Sequence, residues 1–377
     1  MPQRRTYLDY NASAPLRDEA RAAFLAALDL TGNASSVHAE GRKARAVIEA
    51  SRLDVAALVN ARAADVVFTS GASEANATVM AGGWQTIFLS ALEHDSVRMA
   101  ARRSGANLIE VPVTRDGVFD LAAFATVMDK VGRDVRAPNL VCLQLANNET
   151  GVMQPVNHVA AIAHSSGMRV HCDAVQAPGR SVVDCTRLGV DYLTLSAHKL
   201  GGPKGAGALV ILDGAPLPPL IAGGGQERGR RAGTENIAAI AGFGAAARLA
   251  AQDIGKSDRL RLLRDGLETC IAASTPEAIF VGRNAERVCN TCCVAWPGLA
   301  AETIVIRMDL AGVAISAGAA CSSGKVGQSA ALAAMGLSTH VARAAIRISF
   351  GHESTAEDVE AFMAVWATLA ASKQRAA

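Results

Sequence analysis

The chain has 377 residues, half of them hydrophobic, with 37 basic against 35 acidic side chains and a formal charge of +2. That is enough apolar material for a large core spread over two or three domains. The charge balance, without a long basic run, argues against nucleic acid or an anionic membrane as partner. The longest apolar stretch, residues 237–247, falls well short of the roughly 18 residues that a bilayer span requires. Residues 1–7 carry no apolar signal region, so a cytoplasmic location is expected.

Strand-like and helix-like segments alternate from about residue 45 to 250. This predicts a mostly parallel sheet with helices on both faces. Residues 42–59 pattern as a helix. Asp65 to Ser70 reads as a strand, Gly71-Ala72-Ser73 as a tight turn and Glu74 to Met80 as a helix. Free N–H groups and the positive helix end would face an incoming phosphate there. A serine at a helix start is more often a simple cap, so this sign is weak alone.

Residues 154–166 pattern as a further helix. Arg169 to Gln176 then reads as a buried strand ending in Asp173. A carboxylate in that position needs a partner. It either caps the next helix or pairs with a protonated pyridine nitrogen, as in pyridoxal phosphate enzymes. A second strand, Asp191 to Leu195, closes on Ser196-Ala197-His198-Lys199, the lysine twenty-six positions after Asp173, and runs into Leu200-Gly201-Gly202-Pro203. A lysine wedged among small residues at a strand end is poorly placed as a solvated charge. Desolvation favours its neutral amine, which can condense with an aldehyde cofactor. The ordinary reading is a loop lysine beside a Gly-Pro turn, and the pairing with Asp173 speaks against it.

An Ala-rich helix begins near Asn236, and a smaller alternating unit follows, ending in a helix over 356–373. Of the eight cysteines, Cys142 and Cys172 fall in core-strand patterns, while Cys185 and Cys270 have no recognisable context. Cys289, Cys292 and Cys293 precede a strand-like run. Strand alternation sends 289 and 292 to opposite faces, and no second ligand pair follows, so no metal site is expected. Disulfides are not expected in a cytosolic chain. Cys321 lies in a run of small residues from 316 to 327, where a thiol can travel and is already partly thiolate near neutrality. Arg347 sits in a short alternating strand, Ala345 to Phe350, and its ordinary reading is an outward-facing arginine.

Several stretches together resemble the fold-type I pyridoxal phosphate enzymes, and more closely the NifS/IscS type of cysteine desulfurase. They are Tyr7-Leu8-Asp9-Tyr10-Asn11, Gly32-Asn33-Ala34-Ser35-Ser36, Thr69-Ser70-Gly71-Ala72-Ser73-Glu74, Glu93-His94, Asn147-Asn148-Glu149 and Asp173-Ala174-Val175-Gln176. Beyond Lys199 come Gly223 to Asn236, with Arg231-Ala232-Gly233-Thr234-Glu235-Asn236 at its end, and Gly318-Ala319-Ala320-Cys321-Ser322-Ser323. The last two are the specific signals.

The resemblance implies an α/β fold with a mostly parallel seven-stranded sheet between helices and a smaller α/β domain. It places the large domain at residues 14–256. The small one comprises 1–13 and 257–377 and carries the Cys321 loop. It implies that Lys199 holds the cofactor, Asp173 pairs with the pyridinium and Gln176 hydrogen-bonds the phenolic oxygen. His94 would stack on the ring. Ala72, Ser73, Ser196 and His198 would hold the phosphate, joined by Thr234 of the neighbouring subunit, hence a homodimer. Asn148, Arg347 and Asn33 would bind substrate, and Asn148 also the cofactor. L-cysteine would become alanine, its sulfur passing to Cys321 as a persulfide for a sulfur-acceptor or iron-sulfur scaffold protein. Ser73 stands where the family usually has Thr, and Ala34 where Pro is common. The alternatives are another fold-type I enzyme, such as a selenocysteine lyase or an aminotransferase, or a non-catalytic cofactor-binding scaffold.

Overall fold

The computed structural model describes residues 5–131, 138–318 and 329–376. Its strands, in chain order, are β1 (Thr6–Tyr7), β2 (Val66–Thr69), β3 (Thr86–Ser90), β4 (Asn107–Val111), β5 (Asn139–Cys142), β6 (Arg169–Asp173) and β7 (Tyr192–Ser196). Then come β8 (Gly207–Ile211), β9 (Ile279–Phe280), β10 (Thr291–Ala295), β11 (Val313–Ala314), β12 (Ser316–Ala317) and β13 (Ala345–Ser349). Seven of them form one sheet in the order β2-β8-β7-β6-β5-β3-β4.

Strands β4, β3, β5, β6 and β7 run parallel, and β8 runs antiparallel to both β7 and β2. The central strands read as near-continuous apolar runs because both sheet faces are covered. Phe88, Val141, Val170, Leu193 and Val210 enter one core, and their neighbours Ile87, Leu140, Tyr192 and Leu209 enter the other. In this sheet the carboxyl ends of β2, β3, β5, β6 and β7 all point to one edge, where open α/β sheets bind ligands. Gly207 opens β8 at that same edge. A Cβ there would stand 2.6 Å from the Gly71 carbonyl carbon, so only glycine admits the close approach.

The smaller part is built on an antiparallel sheet, β12-β13-β10-β9, beside the parallel pair β1-β11. Trp296 and Trp366 stack in its core with ring centroids 4.4 Å apart. The amino-terminal segment joins it through the Asp9–Ser349 bridge.

Three local expectations change. The helix after β2 starts at Ala72, so the first turn begins two residues earlier than the sequence pattern placed it. Cys289 and Cys292 share one core rather than opposite faces, because β10 starts only at Thr291 and alternation does not reach Cys289. Strand β13 is buried at all five positions, so its alternation of residue type does not mark an exposed face. The helix Ile237–Asp253 packs against Asp18–Leu28 and Ala39–Leu58. The helical stretch Ile237–Ser274 contains a window long and apolar enough to cross a membrane, but most of that window is buried in the protein.

Candidate active site

The strand ends converge on a cavity of about 520 Å³. Ala72, Ser73, His94, Asn148, Asp173, Gln176, Ser196, His198 and Lys199 all line it. A second cavity, about 460 Å³, lies on the other side of Lys199 and Leu200 and is walled by Arg17, Asp253, Arg259 and His352. It has neither Asp173 nor the Ala72 helix start, so the strand-end cavity is the chemical one.

Asp173 closes β6 and is buried. Its Oδ2 accepts from Asn76 Nδ2 at 2.9 Å, and its Oδ1 from the Val175 N–H at 3.0 Å. Both donors are neutral, which leaves this buried carboxylate suited to a cationic N–H from the cavity. Lys199 ends a 3-10 turn directly after β7, and its Nζ donates to the main-chain carbonyls of Asn11 and, at 3.0 Å, Ala12. Gln176 Nε2 donates to Asn11 O at 3.0 Å, while Arg180 donates to Gln176 Oε1.

The helix Ala72–Met80 starts without a side-chain cap, its N-cap being Gly71. Its first N–H groups and the positive dipole end therefore face the cavity rim, with no side-chain cap among the described residues. Ser196 and His198 stand across from it. Burial, then the charges of Lys199 and Lys204, lower the His198 imidazole to about 4, so it is neutral at pH 7. Its Nδ1 lies 3.3 Å from Ser13 Oγ.

His94 precedes the helix Asp95–Arg103 and caps it, Nδ1 accepting from the Ser96 N–H at 3.1 Å. Beside it Glu93 is buried. Its Oε1 accepts from the Gln144 N–H at 2.6 Å, and its Oε2 has no partner among the described residues. Burial, then the charge of Asp173, pushes its carboxyl up to about 8. Glu149 accepts from Ser329 Oγ at 2.6 Å, and burial pushes it up to about 7.

Other expected residues lie elsewhere. Arg347 is 1 % exposed rather than outward-facing, and it pairs with Asp9 Oδ1 at 2.7 Å and with the Asn148 carbonyl at 3.1 Å. Asn33 does not line the cavity; its Oδ1 accepts from the Ser35 N–H at 2.8 Å in a local turn. Thr234 is exposed and outside this chain's own cavity. Cys321 lies outside the described residues. Among the described residues, no group of three or more His, Cys, Asp or Glu could hold a metal ion.

Asn76, Ser96, Gln144 and Lys204 also line or support the site without having been singled out from sequence. One signal for Asn76 was available: it is a lone amide among Ala75, Ala77, Thr78, Val79 and Met80.

The aminotransferase class-V family matches residues 6–362. The chain belongs to that family. A protein named cysteine desulfurase from Cereibacter sphaeroides is 40% identical over 374 residues, covering 96% of this chain and 94% of its own. One from Archaeoglobus fulgidus, named cysteine desulfurase IscS 1, is 36% identical, covering 95% of each. Among solved structures, a NifS-like protein from Rickettsia africae superposes with a TM-score of 0.88 at 31% identity, covering 97% of this chain and 99% of that one. The fold is that of the fold-type I enzymes, as the resemblance implied. The names of these relatives do not favour the lyase, aminotransferase or scaffold alternatives.

Class-V aminotransferases are pyridoxal phosphate enzymes, and the donor set of this cavity fits that group. A phosphate would find an uncapped helix start flanked by Ser73, Ser196 and a neutral histidine. A ring nitrogen would find a buried carboxylate whose partners among the described residues are neutral N–H groups. An aldehyde would find Lys199.

Proposed function

We propose that this protein is a pyridoxal phosphate-dependent cysteine desulfurase that converts L-cysteine to L-alanine and passes the sulfur to Cys321. The observation that carries this reading is the buried Asp173 facing Lys199 across one cavity, in a chain 40% identical to a named cysteine desulfurase. The bound cofactor supplies an electron-withdrawing ring that makes the amino-acid Cα proton acidic.

Every other part falls to this chain's residues. Lys199 holds the cofactor until cysteine displaces it, and its freed amine then takes the Cα proton and later returns it. Asp173 keeps a proton on the ring nitrogen. Gln176 supports the phenolic oxygen, and Ala72, Ser73, Ser196 and His198 seat the phosphate. His94 covers one ring face. Asn148 and Arg347 orient the substrate carboxylate, Arg347 by adding it to a guanidinium already braced by Asp9. The Cys321 thiolate attacks the substrate sulfur, so the substrate C–S bond breaks and an S–S bond forms. The three-carbon product gains protons to become alanine, and Cys321 is left as a persulfide. Atoms balance: cysteine loses one sulfur and the thiol gains it.

The division we propose has residues 14–256 as the large unit and 1–13 with 257–377 as the small one. The enzyme works as a cytoplasmic homodimer in which Thr234 serves the neighbouring site. The persulfide is delivered to an iron-sulfur scaffold or another sulfur acceptor. Alanine release from L-cysteine is the test. The parent should form alanine, and mass spectrometry after brief exposure to cysteine should place one extra sulfur on Cys321. Cys321→Ser should keep its bound cofactor and lose alanine release, because a hydroxyl is a far weaker nucleophile towards sulfur than a thiolate. Near-parental alanine from the serine variant would remove Cys321 from the mechanism. Activity on selenocysteine or keto acids alone would remove cysteine as the substrate.

A further inference from the structure

Two residues outside the expected set link the two groups that flank the cofactor site. Asn76 is fully buried on the helix Ala72–Met80. Its Nδ2 donates to Asp173 Oδ2 at 2.9 Å and to Ser96 Oγ at 2.9 Å. Ser96 Oγ in turn lies 2.9 Å from His94 Nδ1, and the Ser96 main-chain N–H donates to that same nitrogen at 3.1 Å.

The direction of each bond follows from the one before it. Asp173 is a carboxylate and accepts only, so the amide of Asn76 must present its NH2 group to it. Turning the amide over would set two acceptors face to face. The cost of the observed orientation is visible: Asn76 Oδ1 is buried with no partner among the described residues. Ser96 Oγ accepts the second N–H of Asn76, and the Ser96 main-chain N–H already makes His94 Nδ1 an acceptor, so the hydroxyl hydrogen points at that nitrogen. Nδ1 of His94 therefore receives two donors from one residue, and a nitrogen that accepts cannot carry the proton in the neutral ring.

We propose that Asn76 and Ser96 are positioning residues that fix neutral His94 as its Nε2–H tautomer. The charge on Asp173 is what orients the relay, so the residue that serves the ring nitrogen also sets the histidine. As a consequence His94 meets the substrate as a donor. It can give a proton at Nε2, and it cannot accept one there until it has done so. A general-base role for His94 in the first step is thereby excluded, and that step is left to Lys199. This rests on the reading of His94 as a group of the active cavity. The tautomer itself is measurable whether or not cysteine proves to be the substrate.

The experiment is nitrogen NMR of the cofactor-loaded protein with 15N-labelled histidine, at a pH where the ring is neutral, with His94→Gln assigning the resonances. The parent should give a pyrrole-type shift at Nε2 and a pyridine-type shift at Nδ1. Ser96→Ala should move the tautomer ratio towards Nδ1–H by about fivefold, the equivalent of one ordinary hydrogen bond. Asn76→Ala, which frees the Ser96 hydroxyl to rotate, should move it the same way. Ser96→Thr, which keeps the hydroxyl, should restore the parental pattern. A proton on Nδ1 in the parent would overturn the proposal. So would a parental ratio in both alanine variants, since the Ser96 main-chain N–H alone would then account for the tautomer.

Discussion

At the scale of single residues, the site depends on charges that burial has made consequential. Among the described residues Asp173 accepts from neutral N–H groups alone, so its charge is directed at whatever the cavity holds. Asp173→Asn keeps the size and removes that charge. Turnover should fall on the order of 100-fold or more, about 2.7 kcal/mol in the barrier, while Asp173→Glu should lose less. Equal alanine release by parent and Asp173→Asn would take Asp173 out of the mechanism. Glu93 bears on stability instead. Its folded carboxyl sits near 8 against an ordinary value of 4.5, raised first by burial and then by Asp173. A raised value means that its favourable contribution is complete below about 4.5 and is lost as pH rises through about 8. Glu93→Gln mimics the neutral acid. The variant should melt a few degrees above the parent at pH 9, with little difference at pH 5. Identical melting curves at pH 9 would show that Glu93 is not held neutral by the fold.

At the scale of elements, the proposed phosphate seat depends on one close approach. Gly207 of β8 and Gly71 before the helix Ala72–Met80 pass with no room for a side chain. A Cβ on Gly207 would meet Gly71 at 2.6–2.7 Å and the Leu195 carbonyl at 2.9 Å, all of it backbone. Gly207→Ala should push the helix start off its place at an overpacking cost of about 1–3 kcal/mol. Cofactor-free Gly207→Ala protein titrated with pyridoxal phosphate should bind at least tenfold more weakly, read from the visible absorbance. Parental affinity would show that the helix start does not seat the phosphate. The strand, turn and helix at 65–80 were legible because apolar runs and glycine punctuate them locally. What the sequence did not reveal is non-local. The antiparallel insertion of β8 between β2 and β7 depends on pairing across more than 130 residues. Residue type alternates along β13, and nothing in that pattern tells that both faces are covered and that Asp9 waits for Arg347. The Asn76–Ser96–His94 relay spans two helices with β3 between them in the chain, so no spacing announces it.

At the scale of the whole molecule, Thr234 is the residue whose place argues for a partner. It ends a glycine-rich segment that is tied to its own protomer at several points, two of them ion pairs. Arg52 forks onto the buried Glu227 at 2.6 and 2.8 Å, and Arg231 meets Glu74 at 2.9 Å. With these anchors set, Thr234 stays exposed and outside its own cavity. In the homodimer proposed above, the same segment of the second copy serves this cavity. Mixing chains tests the arrangement. Lys199→Ala abolishes the site that contains it, and Thr234→Ala cripples the site it serves. If Thr234 serves the partner, a mixed dimer has one site with both lesions and one with neither. Random reassociation makes about half the dimers mixed, so about a quarter of parental turnover should return. If Thr234 serves its own chain, each site of a mixed dimer carries one lesion and mixing adds nothing. Activity no greater than the average of the two variants alone would therefore refute the shared site, even if the protein proved dimeric.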